Sequence, residues 1–257
     1  MAFARGMVVY PLEGRWYGFQ PWTRKGSGTI WDGIVEAFGL VVARDPKLMQ
    51  IIRLSLQVSG VAIGLAALTG IPLGTWLGMQ PVRRVRLPAL FLYTFMGLPP
   101  VLVGLLVYLL LSARGPFGVL SLLYTPTAMV IAQTILALPI IAGLTMVAVR
   151  AKDREIRDTA VSLGAGAWQV ALTVVREARV AIVGAVVAGT GRVMAEVGAV
   201  MMVGGNIEGK TRVMTTAIVL ETRRGNFEMA IGLGMVLLFL AFVINTALYR
   251  LQGVSRN

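Results

Sequence analysis

Five long blocks of apolar residues dominate this chain and decide what it can fold into. They run over Leu54–Met79, Leu87–Ser112, Leu122–Val149, Val180–Val203 and Met229–Tyr249. A helix that crosses a hydrocarbon core about 30 Å thick needs roughly 20 such residues, and each block is long enough. Four blocks contain no charged residue, and the remaining one contains Arg192 and Glu196. The sequence therefore predicts an all-α membrane protein with five transmembrane helices per chain.

The composition excludes several other classes of protein. Hydrophobic residues make up 56% of the chain and charged residues 14%, whereas soluble domains carry about 25% charged residues. The chain has no Cys and no His, so it lacks thiolate ligands and the commonest general base. We expect no metal site and no catalytic residue. The net charge is +12, but the basic residues lie in short segments between apolar blocks, which is typical of membrane topology and not of nucleic-acid binding.

The chain divides into three parts. Residues 1–28 predict a weakly ordered N-terminal tail, with Trp16 and Trp22 as interfacial aromatics. Residues 29–53 predict an amphipathic helix at the interface, since the apolar run at 30–42 is too short to span. Residues 54–252 form the transmembrane domain, which includes two long polar connections, 150–179 and 204–228.

The positions of Lys and Arg bear on orientation. The connections at 81–86 and 150–179 and the C-terminal tail together hold eleven basic residues, while 113–121 and 204–228 hold five. Basic connections stay in the cytoplasm, so the first set is predicted to be cytoplasmic and the second external. The region up to Arg53 holds seven more and brings the totals to eleven against twelve. We assign the N-terminus to the outside and the C-terminus to the inside.

One pattern match points to a different function. Residues 204–211 match the phosphate-binding loop G-x-x-x-x-G-K-[ST]. That loop works between a buried strand and a helix, where backbone amides surround phosphates. Here it directly follows an apolar membrane block, so we do not assign nucleotide binding to it.

The connection 150–179 resembles a known motif. It predicts two short amphipathic helices with a hinge at Gly164 or Gly166. Asp158-Thr159-Ala160, with Gly164 after three residues, is similar to the Glu-Ala-Ala-x-x-x-Gly loop of ABC importer permeases. Two departures are Asp158-Thr159 in place of Glu-Ala and Val174–Glu177 in place of Ile-x-Leu-Pro. The resemblance implies that this loop docks on an ATPase, through Asp158, Thr159, Ala160, Leu163, Gly164, Ala165 and Gly166.

A second resemblance covers more of the chain. The core Arg192-x-x-x-Glu196-x-Gly198-Ala199 resembles molybdate and sulfate permeases. The stretches 196–207 and 211–218 resemble the tungstate branch most, and 97–101 and 123–129 fit that branch too. Lys210 is a departure, since a less charged residue is expected there.

The resemblance implies a type I ABC importer permease bundle in a prokaryotic plasma membrane. Its partners are expected to be a second copy of the chain, two ATPase subunits, an extracytoplasmic oxyanion-binding protein and membrane lipid, with no nucleic acid. ATP and Mg are used by the partner ATPase, so this chain binds no cofactor and is not itself an enzyme. The expected cargo is tungstate; a molybdate or sulfate permease, or an ATP-independent anion transporter, remains an alternative.

Two groups of residues carry both a structural and a functional interpretation. Arg192 and Glu196 are four apart on one helical face, so they can pair and fix packing, or line the translocation path or gate. The turn at Gly204, Gly205 and Asn206 either caps a helix or forms an anion-binding nest. With Lys210 and Arg212, it is expected to contact the anion or its binding protein.

Overall fold

The computed structural model describes residues 46–253, apart from the side chains of 153–155, 228 and 251–253. Within that range the chain is helical and has no strand. The elements are α1 (Pro46–Met79), α2 (Val82–Met96), α3 (Pro100–Leu111), α4 (Pro126–Ser162), α5 (Ala167–Met194), α6 (Gly198–Gly204), α7 (Met214–Arg223) and α8 (Phe227–Gly253), with a short 3-10 helix at Gly118–Leu120. The all-α prediction is confirmed.

The N-terminal predictions fall largely outside this range. The tail at 1–28 and most of the interfacial helix at 29–53 lie outside the described residues. The part that is described, 46–53, belongs to α1. The first long helix therefore begins at Pro46, before the predicted Leu54, and Pro is well tolerated at a first helical position.

Two of the five predicted spans are interrupted. Among the described residues, α1, α4 and α8 contain stretches long and apolar enough to cross a membrane. The block at 87–112 instead folds as α2 and α3, which are bent by 99° at Gly97–Pro99, and this pair counts as a fourth span only if taken together. The block at 180–203 breaks after Met194 and continues as the short α6. Length and composition thus support three or four spans where the sequence predicts five.

Local sequence accounts for the first break. Pro99 and Pro100 follow Gly97, and the residue before a proline is driven out of the α conformation. Pro100 then occupies the first position of α3, where its missing amide hydrogen costs nothing. The chain therefore stops one helix and starts another within three residues, at a sharp angle.

A stripe of small residues joins α1 to α4. The residues buried along α1 recur every four positions through Ala62, Ala66, Gly70, Gly74 and Gly78. A Cβ on Gly74 would lie 2.8 Å from Cβ of Thr145, and one on Gly78 would lie 2.8 Å from Cβ of Val149. Such small residues let membrane helices approach closely, and here they bring α1 directly against the backbone of α4.

The outer surface of the bundle is apolar. In α8, only 11% of the residues in its most apolar window are buried, and Leu238, Phe239 and Phe242 are exposed. The same holds for much of α2 and α3, including Leu90, Phe91 and Leu106. An apolar exposed surface of this extent suits a lipid environment or a partner helix.

Candidate translocation site and coupling segment

The two helix breaks lie side by side. Arg192, near the end of α5, donates from Nη2 to the carbonyl oxygen of Leu98 in the α2–α3 break at 3.1 Å. On the other side, a Cβ on Gly198 at the start of α6 would lie 2.9 Å from Val101. Irregular backbone within an apolar region is tolerated only where protein or a wet cavity surrounds it. Both interruptions satisfy this condition by packing on each other.

Glu196 lies in the second break and holds it in place. Its side chain is 4% exposed, and Oε1 accepts a hydrogen bond from the amide of Ala199 at 2.9 Å. Its backbone carbonyl accepts from Oγ1 of Thr215 at 3.0 Å. Glu196 therefore caps α6 with its side chain and links the break to α7 with its backbone.

Arg192 and Glu196 do not pair with each other in the structure. The four-residue spacing places two side chains on one face only while the helix continues, and α5 ends at Met194. Each residue instead has its own backbone partner across the breaks. The arginine Nε is buried without a hydrogen-bond partner among the described residues.

A cavity of about 240 Å³ adjoins Glu196 between α1, α5, α7 and α8. Most of its wall is apolar, but it has a polar side formed by Ser55, Ser59, Gln133, Thr190, Glu196 and Thr215. Gln133 is 3% exposed, and its Oε1 has no hydrogen-bond partner in the described part of the chain. Several polar groups around a cavity of this size can hold water or a small polar solute.

The sequence analysis did not select Gln133 as a candidate site residue. It could have been found as the one amide side chain in the apolar block 122–149. A polar side chain in a membrane helix faces a neighbouring helix or a cavity. That rule identifies the residue as notable, but its neighbours on α1 and α5 come from distant parts of the chain.

Residues 205–213, between α6 and α7, form the predicted external turn. The start of this turn caps the end of α6. Gly205 has a φ of 72° and ends α6, and its amide donates to the carbonyl of Met201 at 2.9 Å. Thr211 Oγ1 donates to the carbonyl oxygen of Gly204 at 2.5 Å and accepts from the amide of Ile207 at 2.9 Å. The amides of Gly205 and Ile207 already have partners, which favours the capping interpretation. Asn206, with a φ of 51°, lies between them.

This turn also joins two helices, which bears on the phosphate-loop match. Residues 204–211 start at the last residue of α6 and continue into the connection to α7. The described residues contain no strand that could precede them. The amides that would surround a phosphate are the ones that close the turn. The pattern match therefore has no structural counterpart.

Ion pairs tie the external turn to the start of α1. Glu208 contacts Nζ of Lys47 at 3.4 Å and Nη1 of Arg212 at 3.2 Å. These partners, Lys47 first, hold the pKa of the Glu208 carboxyl below its usual value. Gln50 Nε2 adds a hydrogen bond to the carbonyl oxygen of Gly209 at 2.9 Å. Arg212 is thus engaged within the chain, whereas Lys210 is exposed.

The predicted coupling segment, residues 158–166, forms a protruding corner between α4 and α5. α4 has 37 residues, or about 55 Å, so it extends well past a hydrocarbon core of about 30 Å. The predicted pair of short helices is therefore the end of one long helix and the start of another. Asp158 and Thr159 are exposed in the last turns of α4.

The corner itself has a well-defined turn. Gly164 has a φ of 81°, its amide donates to Val161, and the amide of Ala165 donates to Ala160. This pair of bonds is the Schellman arrangement that ends many helices and needs a left-handed residue, usually Gly. Gly166 then donates its amide to Gln169 Oε1 at 2.8 Å at the start of α5.

The corner presents apolar side chains to the surroundings. Leu163 is 83% exposed and Trp168 is 76% exposed. Large apolar side chains at a rigid, protruding turn are typical of a protein-binding surface. Trp168 was not among the residues selected from the sequence, although it follows the motif by two positions.

Together, these features define a class of protein. Interrupted helices beside a cavity with one polar side, and a corner projecting from the same bundle, are typical of the membrane-spanning subunit of a transporter.

The particular family follows from comparison with known proteins. The family model described as "Binding-protein-dependent transport system inner membrane component" matches residues 70–256. The chain belongs to this family and is a multi-pass membrane protein of the inner (plasma) membrane. Its role is that of a transport subunit.

Individual relatives are similar over nearly their whole length. A tungstate uptake system permease protein from Peptoclostridium acidaminophilum is 45% identical over 87% of this chain and 98% of its own length. Another, from Campylobacter jejuni, is 38% identical over 87% of this chain and 93% of its own length. A molybdenum transport system permease protein from Azotobacter vinelandii is 27% identical over 77% of this chain and 91% of its own length.

Proposed function

We propose that this chain forms the translocation pore of an ATP-driven importer whose cargo is tungstate. The observation that carries the proposal is the similarity to a tungstate permease over 98% of that protein's length, at 45% identity. The molybdenum permease is more distant, at 27% identity. Molybdate is the second candidate, because it is an oxyanion of nearly the same size and charge.

The proposed assembly contains two copies of the chain, two ATPase subunits and an external oxyanion-binding protein, embedded in lipid. A single copy has broad apolar surfaces on α3 and α8 that a second copy can cover in part. The ATPases bind at the corner formed by Asp158, Thr159, Ala160 and Leu163–Gly166, where Leu163 projects. ATP and Mg stay on the ATPase, and this chain binds no cofactor.

We assign the translocation path or gate to the two helix breaks. Arg192 and Glu196 hold the backbone of the breaks through the bonds to Leu98 and Ala199. A backbone held by a few polar contacts can switch between two arrangements as the two helix pairs move. The buried carboxylate also disfavours lasting occupancy by an anion next to it.

The external surface is assigned to the binding protein. Gly204, Gly205, Asn206, Lys210 and Arg212 lie on or beside the turn after α6, and Lys210 points into solvent. Positive charge here would attract an anion or an acidic patch on a docking protein. The turn amides contribute little to anion binding in this assignment, because Gly205 and Ile207 already donate within the chain.

The test uses the whole transporter in proteoliposomes, with its ATPase inside and the loaded binding protein outside. We expect tungstate uptake that requires both ATP and the binding protein. A preparation without the binding protein should show no uptake. Calorimetry on the binding protein, comparing tungstate, molybdate and sulfate, identifies the cargo. Uptake that continues without ATP would overturn the importer proposal in favour of an ATP-independent transporter, and tighter binding of molybdate would reassign the cargo.

A further inference from the structure

The C-terminal end of α1, which is predicted to be cytoplasmic, is capped by arginines from another helix. The last carbonyl groups of a helix have no partner within it, and α1 has no basic residue in its own last turn. Arg150 of α4 donates from Nη2 to the carbonyl oxygens of Leu77 at 3.3 Å and Gln80 at 3.2 Å. Arg157, two turns further along α4, donates from Nη2 to the carbonyl oxygen of Met79 at 3.2 Å.

These bonds are stronger than ordinary surface contacts. Both arginines are half-buried, and a guanidinium at a helix C-terminus interacts favourably with the helix dipole as well as with the carbonyl groups. Arg157 directly precedes Asp158, the first residue of the coupling segment. The capping bonds therefore join the end of α1 to the base of the corner at which the ATPase is proposed to bind.

The packing of α1 against α4 is very close just inside these bonds. Gly74 and Gly78 of α1 contact α4 so closely that an added Cβ would lie 2.8 Å from the Cβ atoms of Thr145 and Val149. A close-packed interface of this kind transmits displacement and does not absorb it. A movement of the α4 end is thus passed to α1.

The opposite end of α1 holds the external turn. Gln50 donates to the carbonyl oxygen of Gly209 at 2.9 Å, and Ser55 Oγ accepts from the amide of Met214 at 2.8 Å. The Lys47–Glu208 ion pair lies at the same end. With 34 residues, α1 is about 51 Å long, so one continuous helix, with Pro72 inside it, reaches from Arg150 and Arg157 at the base of the coupling segment to the external turn.

We propose that Arg150 and Arg157 are positioning residues that couple the ATPase to the external side of the transporter through α1. When ATP closure displaces the corner at 158–166, these arginines carry the end of α1 with it, and α1 moves the turn at 205–213. This inference rests on the proposed function as an ATP-driven permease.

The test measures tungstate imported per ATP hydrolysed by the complete transporter in proteoliposomes, together with the stimulation of ATP hydrolysis by the binding protein. The variants are Arg150→Met with Arg157→Met, and Arg150→Lys with Arg157→Lys. Arg84→Met is the matched control. Arg84 is an exposed arginine four residues after Gln80, and its side chain makes no hydrogen bond or ion pair within the described part of the chain.

We expect the double Met variant to lose about tenfold in tungstate imported per ATP, within the usual range for coupling between two sites. ATP hydrolysis itself should continue without stimulation by the binding protein. The Lys variant should recover part of the ratio, and Arg84→Met should match the wild type. If the double Met variant does not assemble, the two single Met variants are judged on the same ratio.

The inference is overturned if the assembled Met variants import as much tungstate per ATP hydrolysed as the wild type, including the case in which uptake and hydrolysis fall equally. Failure of the proposed function has a different signature, because then the wild type itself shows no ATP-dependent uptake. If only the cargo is misassigned, stimulation of ATP hydrolysis by the binding protein still distinguishes the arginine variants from the Arg84 control.

Discussion

The two charged side chains within an apolar block of this protein form hydrogen bonds with backbone groups. A charge within a membrane costs about 2.5–3.5 kcal/mol on insertion scales, so it requires a partner. Arg192 and Glu196 find that partner in peptide groups left free by the two helix breaks, at Leu98 and Ala199. The same two residues thus stabilise the backbone at the two helix breaks.

Replacing Arg192 by Met should destabilise the chain. The carbonyl oxygen of Leu98 then loses its donor in a partly buried environment, which costs up to about 1–3 kcal/mol. The measurement is the midpoint of thermal unfolding in detergent. Arg224→Met is the control, since it breaks only an exposed pair with Glu221, worth about 0–1 kcal/mol. Equal shifts in the two variants would show that the bond to Leu98 contributes nothing special.

The ion pairs of Glu208 should make stability depend on pH. The pKa of this carboxyl in the folded chain is below its ordinary value of 4.5, because Lys47 and Arg212 stabilise its charged form. A lowered pKa contributes stability above the ordinary value, and this contribution is lost as the pH falls through the folded pKa. Unfolding midpoints measured between neutral pH and pH values below 4.5 should therefore fall more steeply for the wild type than for Glu208→Gln. Parallel curves at low ionic strength would contradict this expectation.

At the level of helices, the sequence predicted the apolar blocks well and their continuity poorly. Gly97-Leu98-Pro99-Pro100 carries a visible signal for a break, because paired prolines cannot continue a helix. The break after Met194 has no such signal, since Ala195–Val197 suit a helix as well as a turn. It depends on the contacts of Arg192 and Thr215 with distant residues, which a single sequence does not reveal.

The candidate site shows the same division. The motif at 158–166 located the protruding corner, whereas Arg192 and Glu196 were predicted to share one face of an unbroken helix and instead lie on either side of the end of α5 at Met194. The arginine caps at Arg150 and Arg157 could not be predicted, because each bond joins residues 70 or more positions apart. The regular spacing of Gly70, Gly74 and Gly78 was readable from the sequence but does not by itself name its partner helix.

Gly74→Ala should weaken the contact between α1 and α4. The added Cβ meets Thr145 at 2.8 Å, and overpacking of this kind costs about 1–3 kcal/mol. Gly64→Ala on the same helix is the matched control, because its Cβ meets nothing within 4 Å. There the loss of a helical glycine should be neutral or stabilise by about 0.5–1 kcal/mol. Unfolding midpoints that shift in the same direction for both variants would refute the tight seam.

At the scale of the whole molecule, the two long helices α1 and α4, with 34 and 37 residues, connect the two proposed docking surfaces. α4 carries the corner on one side, and α1 holds the external turn on the other through Gln50 and Ser55. The two functional surfaces therefore belong to one pair of closely packed helices. Orientation in the membrane decides which surface meets the ATPase, so it determines the direction of transport.

Cysteine labelling tests that orientation directly, since the native chain has no Cys. Ser162→Cys lies on the corner and Lys210→Cys on the external turn, and both positions are exposed. The basic residues of 150–179 predict a cytoplasmic corner. A membrane-impermeant maleimide should therefore label Lys210→Cys in intact cells, and Ser162→Cys only after permeabilisation. The reverse pattern would invert the topology and place the corner out of reach of a cytoplasmic ATPase.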